Sequence, residues 1–308
     1  MSFDARRVRK RYRRTLKSVS NSVIYGVVTL LGFLVRRLSR TQTRRIAFFI
    51  GDFLHRVAGL RRELVYRNLA LTFPEKSSGE IARIATAVYR NMTSTLLEVL
   101  RLPLIRNRDD AVALVDFDGD DAFWEWSRSG KSGAVMVSAH YGNWELMAMA
   151  FGVMMNPVTI IVKRLHNEQV DRKMNEYRTM RGNSVVYPQQ SVREGLRLLQ
   201  NGGTLAILGD QSDPDEVNFG EFLGRRAAMF YGPAFFALRA RVPMFMPFCI
   251  SNGDGRYTIH VRQIDTSGLT FNKEDIATLA ARYTSEIEAQ IRRRPEEWFW
   301  LHDRWKRG

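Results

Sequence analysis

Cysteine is all but missing from this chain. The single one, Cys249, excludes an intramolecular disulfide and offers no cluster of thiol ligands for a metal. It lies in the apolar run Val242 to Ile250 and reads as a buried, inert thiol. Negative charge is also short, with 32 Asp and Glu against 47 Lys and Arg, a net charge of +15. That balance calls for an anionic partner, and nucleic acid and acidic lipid are the two candidates. No apolar run reaches the roughly 20 residues of a full membrane span. Repeats and low-complexity tracts are absent. The loop Ser129-Gly130-Lys131-Ser132-Gly133 lacks the order of a phosphate-binding loop, which argues against ATP or GTP.

The position of the positive charge separates the two partners. Residues 1 to 40 hold eleven Lys and Arg against Asp4 alone, a balance of +10, and the uncharged stretch Val23 to Val35 lies between the two basic clusters. A signal peptide shares this outline, but here the apolar stretch ends in Arg36-Arg37 without a small-residue cleavage site. A nucleic-acid arm has no need of an apolar insert and would want aromatics interleaved with its bases. The preferred reading of residues 1–40 is a membrane-inserted or interfacial anchor whose arginines meet anionic headgroups; an ordinary core helix with basic flanks is the alternative.

From Thr41 to Leu102 apolar residues recur at helical spacing, with Ser77 or Ser78 opening one helix and His55 read as structural. Beyond that, strands are predicted over 111–117, 134–139, 158–162, 184–186, 204–208, 244–250 and 257–263. Helices are predicted over 167–180, 192–200, 233–240 and 273–293, with a Trp-rich one through Trp124 and Trp126. The alternation gives an α/β domain over residues 41–308, a mostly parallel central sheet covered by helices on both faces. No further domain boundary is visible.

Chemistry concentrates in Ala134 to Phe151. An apolar strand ends at His140, Asn143 is placed to cap a helix, and Glu145 falls in that helix's first turn. Ligands of α/β sheets bind at this edge. A carboxylate on one ring nitrogen of His140 would leave the other to take a proton from an alcohol or thiol. Spacing alone leaves open a structural histidine and a carboxylate favoured by the helix dipole.

The stretch His140-Tyr141-Gly142-Asn143-Trp144-Glu145 resembles the His-x-x-x-x-Asp/Glu box of the glycerolipid acyltransferase superfamily, and its wording resembles the bacterial lipid A biosynthesis (lauroyl/myristoyl) acyltransferase branch. Further phrases are similar to that family in the same order: Asn68-Leu69 with Phe73-Pro74, Gly209-Asp210-Gln211, Phe222-Leu223-Gly224-Arg225 leading to Tyr231-Gly232-Pro233-Ala234, and Pro295 to Lys306 with its alternating tryptophans. Arg226 and Met229 depart from the family pattern, which bears on chain length and acceptor contacts. The tryptophan segment suits a cover over the domain or a membrane-interface belt, with His302 structural.

The resemblance implies a fold like that of glycerol-3-phosphate acyltransferase and direct acyl transfer without an acyl-enzyme. His140 is then the general base and Glu145 its orienting carboxylate, with amides of the His140 to Asn143 turn available to an oxyanion. Arg178 matches an arginine of the family. With Arg181, Lys163 and Arg164 it is expected to hold phosphate on the acceptor or carrier, and Asp210, Gln211, Gly224 and Arg225 are further expected substrate contacts. Phe230 and Phe236 are expected along the acyl chain. No metal or bound cofactor is implied; acyl carrier protein or coenzyme A brings the acyl thioester.

The implied acceptor is a hydroxyl of a lipid A precursor, and the implied location is the inner membrane with the domain facing the cytoplasm. A lysophospholipid, glycolipid or aminolipid acceptor is the nearest alternative. An idle protein that holds anionic lipid is the alternative from another class.

Overall fold

The computed structural model describes residues 3–130, 133–211 and 218–306, those of 3–18 by their backbone alone. Lys131 and Ser132 of the loop discounted above lie outside them. Four helices come first: α1 (Phe3–Val35), α2 (Arg40–Arg56), α3 (Arg62–Thr72) and α4 (Ser78–Arg101). Capping explains two of the starts. Ser39 and Gln42 form a reciprocal capping box at α2, and Ser77 and Glu80 another at α4, each satisfying two backbone donors that the helix cannot. His55 sits inside this layer, 3.2 Å from the Tyr66 hydroxyl and stacked on Tyr89, where burial lowers its pKa and keeps it neutral.

The α/β part follows as α5 (Arg108–Val112), β1 (Val115–Gly119), α6 (Asp121–Ser129), β2 (Ala134–Ser138), α7 (Trp144–Met154), β3 (Val158–Ile161) and α8 (Glu168–Thr179). It continues with β4 (Ser184–Val186), α9 (Pro188–Gln200), β5 (Thr204–Leu208), the pair β6 (Phe219–Phe222) and β7 (Arg225–Ala228), and α10 (Gly232–Ala240). Strands β8 (Met244–Ser251) and β9 (Tyr257–Ile264) and helix α11 (Lys273–Arg293) complete it.

Seven strands form one sheet in the order β1-β9-β8-β2-β5-β3-β4. It is parallel from β8 to β4, while β9 runs antiparallel to β8 and carries β1 parallel to itself. Strand β2 lies near the centre and is buried at every residue, as expected of an apolar run covered on both faces.

Right-handed crossovers put α7 and α8 on one face and, because the chain then reverses direction across the sheet, α9 and α10 on the other; α6, which joins the antiparallel β1 and β2, packs on the same face as α7. The core divides accordingly. Phe123, Met136, Leu146 and Phe151 pack on the first face, and Val135, Val137, Leu205 and Phe236 on the second. Full burial of each such side chain contributes about 1.5–3 kcal/mol.

Three local features depart from the sequence reading. The strand expected from Ala111 begins only at Val115, because the Asn107 side chain accepts the amide of Asp110 at 2.9 Å and caps the short α5. Helix α9 begins at Pro188 rather than Val192, with proline supplying the first-turn geometry. The hairpin β6–β7 was not anticipated. Its two-residue turn holds Leu223 at φ 52° and Gly224 at φ 78°, and Leu-Gly does not advertise itself as Asn-Gly would.

Among the described residues no helix is long and apolar enough to cross a membrane. Helix α1 packs Val35 inward, but Val19, Val23, Val27 and Leu30, spaced three to four apart, are exposed along its outer face, as are Phe49, Phe53 and Val57 in and just after α2.

Candidate active site

Strands β2 and β5 are parallel neighbours with Ser138 opposite Leu208. Two residues further along each strand come His140 and Asp210, so the register alone sets them side by side at the edge of the sheet. His140 Nδ1 lies 2.9 Å from Asp210 Oδ1, and the His140 backbone amide donates to Oδ2 at 3.0 Å. The indole of Trp298 donates to the same Oδ2 at 2.8 Å.

Asp210 is 2% exposed. Burial is the largest influence on it and opposes ionisation, but the charge and hydrogen bonds of His140 and the Trp298 bond outweigh it and hold the carboxyl below the usual range. An ionised carboxylate accepts, so Nδ1 carries a proton and the pair fixes the orientation of the ring. The Gln211 amide nitrogen stands 3.4 Å from Nε2, and the rings of Trp144 and Phe299 flank the imidazole at 5.2 and 6.4 Å.

The turn between β2 and α7 is fixed from several sides. Gly142 takes φ +60°, and a Cβ there would stand 2.0 Å from the carbonyl oxygen of Cys249, so no other residue fits without moving β8. Gly142 donates to the carbonyl of Glu297, Asn143 to that of Cys249, and Tyr141 to that of Ala139. The Asn143 side chain accepts from Leu146 at 3.0 Å, confirming it as the cap of α7.

These bonds correct one expectation. The amides of residues 140 to 143 are all spent on protein acceptors, which leaves Trp144 and Glu145 as the first-turn amides of α7 that the cap does not engage.

A second correction concerns Glu145. It borders the same cavity as His140, but its carboxylate faces Arg178 in the last turn of α8. The Arg178 Nε lies 2.9 and 3.2 Å from the two carboxylate oxygens, and Nη2 adds a further bond. Both side chains are largely buried. Burial disfavours the charged guanidinium, yet the Glu145 carboxylate more than compensates and the Arg178 pKa is raised. The carboxylate that holds the His140 ring is thus Asp210, and Glu145 belongs to an ion pair beside it.

The remaining expected residues divide. Lys163 is exposed and borders the cavity, as do Gln211, Phe230 and Phe236. Arg164 stacks on Tyr187, 4.1 Å from its ring centre. Arg181 does not share a face with Arg178, because α8 ends at Thr179 and Gly182 turns the chain at φ +90°; its guanidinium bonds the carbonyl of Ile105 at 2.8 Å. Gly224 lies in the β6–β7 turn and Arg225 opens β7; neither borders the cavity, and Arg225 lies 4.0 Å over the ring of Trp305.

The tryptophans of the C-terminal segment are buried, Trp300 completely, so they make a cover and not a surface belt. Trp298 was the site residue that sequence reasoning missed, since nothing in an alternating Trp pattern says which indole reaches a carboxylate. Cys249 is buried, and burial pushes its thiol pKa up, as expected.

His140 stands at a cavity of about 950 Å³ whose wall is mainly apolar, including Met136, Met147, Phe151, Ile160 and Phe235. An imidazole held through Nδ1 by a carboxylate, at the junction of a greasy cavity and a charged rim, suits deprotonation of a hydroxyl that attacks a long-chain acyl group.

Comparison with known proteins agrees. The phosphatidylinositol mannoside acyltransferase of Mycolicibacterium smegmatis is 24% identical over 294 residues, 91% of this chain and 92% of that one. The lipid A biosynthesis palmitoleoyltransferase of Escherichia coli is 25% identical over 276 residues, 85% and 83% of the two chains. The lipid A biosynthesis myristoyltransferase of Escherichia coli is 23% identical over 255 residues, 82% and 77% of the two. With residues 10–307 matching the family model described as bacterial lipid A biosynthesis acyltransferase, the chain belongs to that family and is an O-acyltransferase.

Proposed function

We propose that this acyltransferase moves a fatty acyl chain from a thioester of acyl carrier protein or coenzyme A to a hydroxyl of a phosphorylated glycolipid, a lipid A precursor in the first instance. The observation that carries the reading is the His140–Asp210 pair at an apolar cavity. His140 Nε2 takes the proton of the acceptor hydroxyl as its oxygen bonds the thioester carbonyl carbon. The carbon–sulfur bond then breaks and the departing thiolate recovers the proton. Asp210 keeps Nδ1 protonated and stabilises the imidazolium between these steps. The amides of Trp144 and Glu145, at the positive end of α7, face the developing oxyanion. Lys163 at the rim meets phosphate on the acceptor or on the carrier's pantetheine arm.

A mannosylated phosphatidylinositol acceptor is the second reading. It is favoured by the similarity to the mycobacterial enzyme over nearly the whole of both chains. Purified protein supplied with labelled acyl carrier protein, and separately with acyl-coenzyme A, is expected to acylate a lipid A precursor, with nothing transferred by the His140→Ala protein. Transfer to phosphatidylinositol mannosides alone would move the acceptor, and transfer to none of these lipids would remove the reading.

The reading carries a location with it, the cytoplasmic face of the inner membrane. Support comes from the outward apolar stripe of α1 and from the +10 balance of residues 1 to 40, which together match an anionic lipid surface. The stripe lies near the reaction, because the Asn167 side chain, shortly after Lys163, donates to the carbonyl of Asn21 in α1 at 2.8 Å. Wild-type protein is expected to float with vesicles containing phosphatidylglycerol and less with vesicles of phosphatidylcholine. Val23→Asp with Val27→Asp is expected to abolish flotation; unchanged flotation of that variant would sink the assignment.

A further inference from the structure

The cavity at His140 reaches both faces of the sheet. Met147 and Phe151 of α7 border it on one side, and Val192 of α9 and Phe235 of α10 on the other. Successive strand side chains point to opposite faces, yet Ala206, Ile207 and Leu208 of β5 all border it. The space therefore passes over the ends of β3 and β5 and descends on either side, with His140 and Gln211 where the two arms meet.

The arms differ in shape. On the α7 side, Met136 and Ile160 both pair in register with Ala206, so the three make one row across the floor, recessed at the small central residue. This arm continues to Val158 at the start of β3, about 13 Å along the strand from Val162 at about 3.3 Å per residue. This arm is closed to solvent and tightly packed: Met136, Phe151 and Val158 are each no more than 3% exposed, so a chain that enters must part them. The α9 side is open, with Val192 53% and Phe271 45% exposed at its rim.

We propose that the cavity holds two hydrocarbon chains at once. The sealed arm under α7 takes the donor's acyl chain, and the open arm between α9 and α10 takes a chain of the acceptor. The proposal rests on the acyl-transfer reading. A chain that ends inside the protein and presents its carbonyl at the mouth fits the sealed arm. A chain belonging to a larger lipid, whose other parts stay outside, needs an open side. The acceptor class is thereby narrowed to lipids that carry a hydrocarbon chain close to the hydroxyl that is acylated.

The test uses the full chain and a twelve-carbon fatty acid with a terminal diazirine. After irradiation, peptides from β3 or α7 and peptides from α9 or α10 are both expected to carry the label. Ala206→Phe should remove only the first set, and Val192→Trp only the second. Met147→Trp narrows the sealed arm from the helix side and serves if Ala206→Phe does not fold.

In transfer assays the sealed-arm variants should move the donor optimum to shorter chains. Val192→Trp should raise KM about tenfold or more for long-chain acceptors, in the range expected when a pocket loses room for a methylene or two. Labelling of a single arm in the wild type, or a shift of donor preference in Val192→Trp, overturns the two-chain proposal while transfer itself stands. Labelling of both arms without transfer to any acceptor counts against acyl transfer, and so against the roles given to the arms.

Discussion

Asp210→Asn is expected to slow acyl transfer by about a thousandfold or more while the protein stays folded, the scale seen when the carboxylate behind a general-base histidine becomes an amide. The side chain keeps its shape, and its remaining oxygen can still accept from the His140 amide and the Trp298 indole. What changes is the ring. An amide nitrogen at the position of Asp210 Oδ1 donates to Nδ1, which drives the proton onto Nε2 and removes the lone pair that the acceptor hydroxyl needs. KM should move little.

His140→Ala should add almost nothing in the Asp210→Asn background, since the two act as one unit. Steady-state transfer by the two single variants and the double variant, with melting curves alongside, checks this. An additive double variant would show that Asp210 acts elsewhere. The Asp210 carboxyl has its folded pKa depressed, so its contribution to stability is whole above the unfolded value of about 3.9 and is lost only as pH falls through the lower folded value. Near neutral pH the pair is intact.

Glu145→Ala should act mainly on stability. It strands Arg178 in a largely buried position without its partner, and breaking such a pair costs about 3–5 kcal/mol, more than deleting both halves. The denaturation midpoint is expected to fall sharply in Glu145→Ala and to recover in part when Arg178→Ala is added. Were Glu145 the carboxylate that steers His140, the result would instead resemble Asp210→Asn, with kcat lost and the midpoint kept. Urea titration and kinetics on the same preparations separate the two.

The contrast between these carboxylates shows what was legible in the sequence. His140 and Asp210 were both readable as residues just past strand ends, because buried parallel strands announce themselves as short apolar runs. Their partnership was not readable, since it depends on β2 and β5 being neighbours in register, which lies in the strand order and in no local pattern. Glu145 looked like the partner through nearness in sequence, but the helix start aims it at α8. Arg181 misled for a related reason: a spacing of three implies a shared face only where the helix continues. The helical stretch from Thr41 to Leu102 and the start of α4 near Ser77 were plain, being set by residues three or four apart. The β6–β7 turn was hidden by its leucine, which takes a left-handed conformation that leucine disfavours.

The turn that carries His140 is held partly by a distant stretch of chain. Tyr141 makes a β-bridge with Trp298, and the Phe299 amide donates to the carbonyl of His140 at 3.0 Å, in addition to the Trp298 bond to Asp210. Chains leave the ribosome from the N-terminus, so His140 and Asp210 emerge long before residues 298 and 299. Until those residues follow, the turn that carries His140 lacks these bonds. The turn is thus fully braced only once residues 298 and 299 have been made, more than 150 residues behind the histidine it carries.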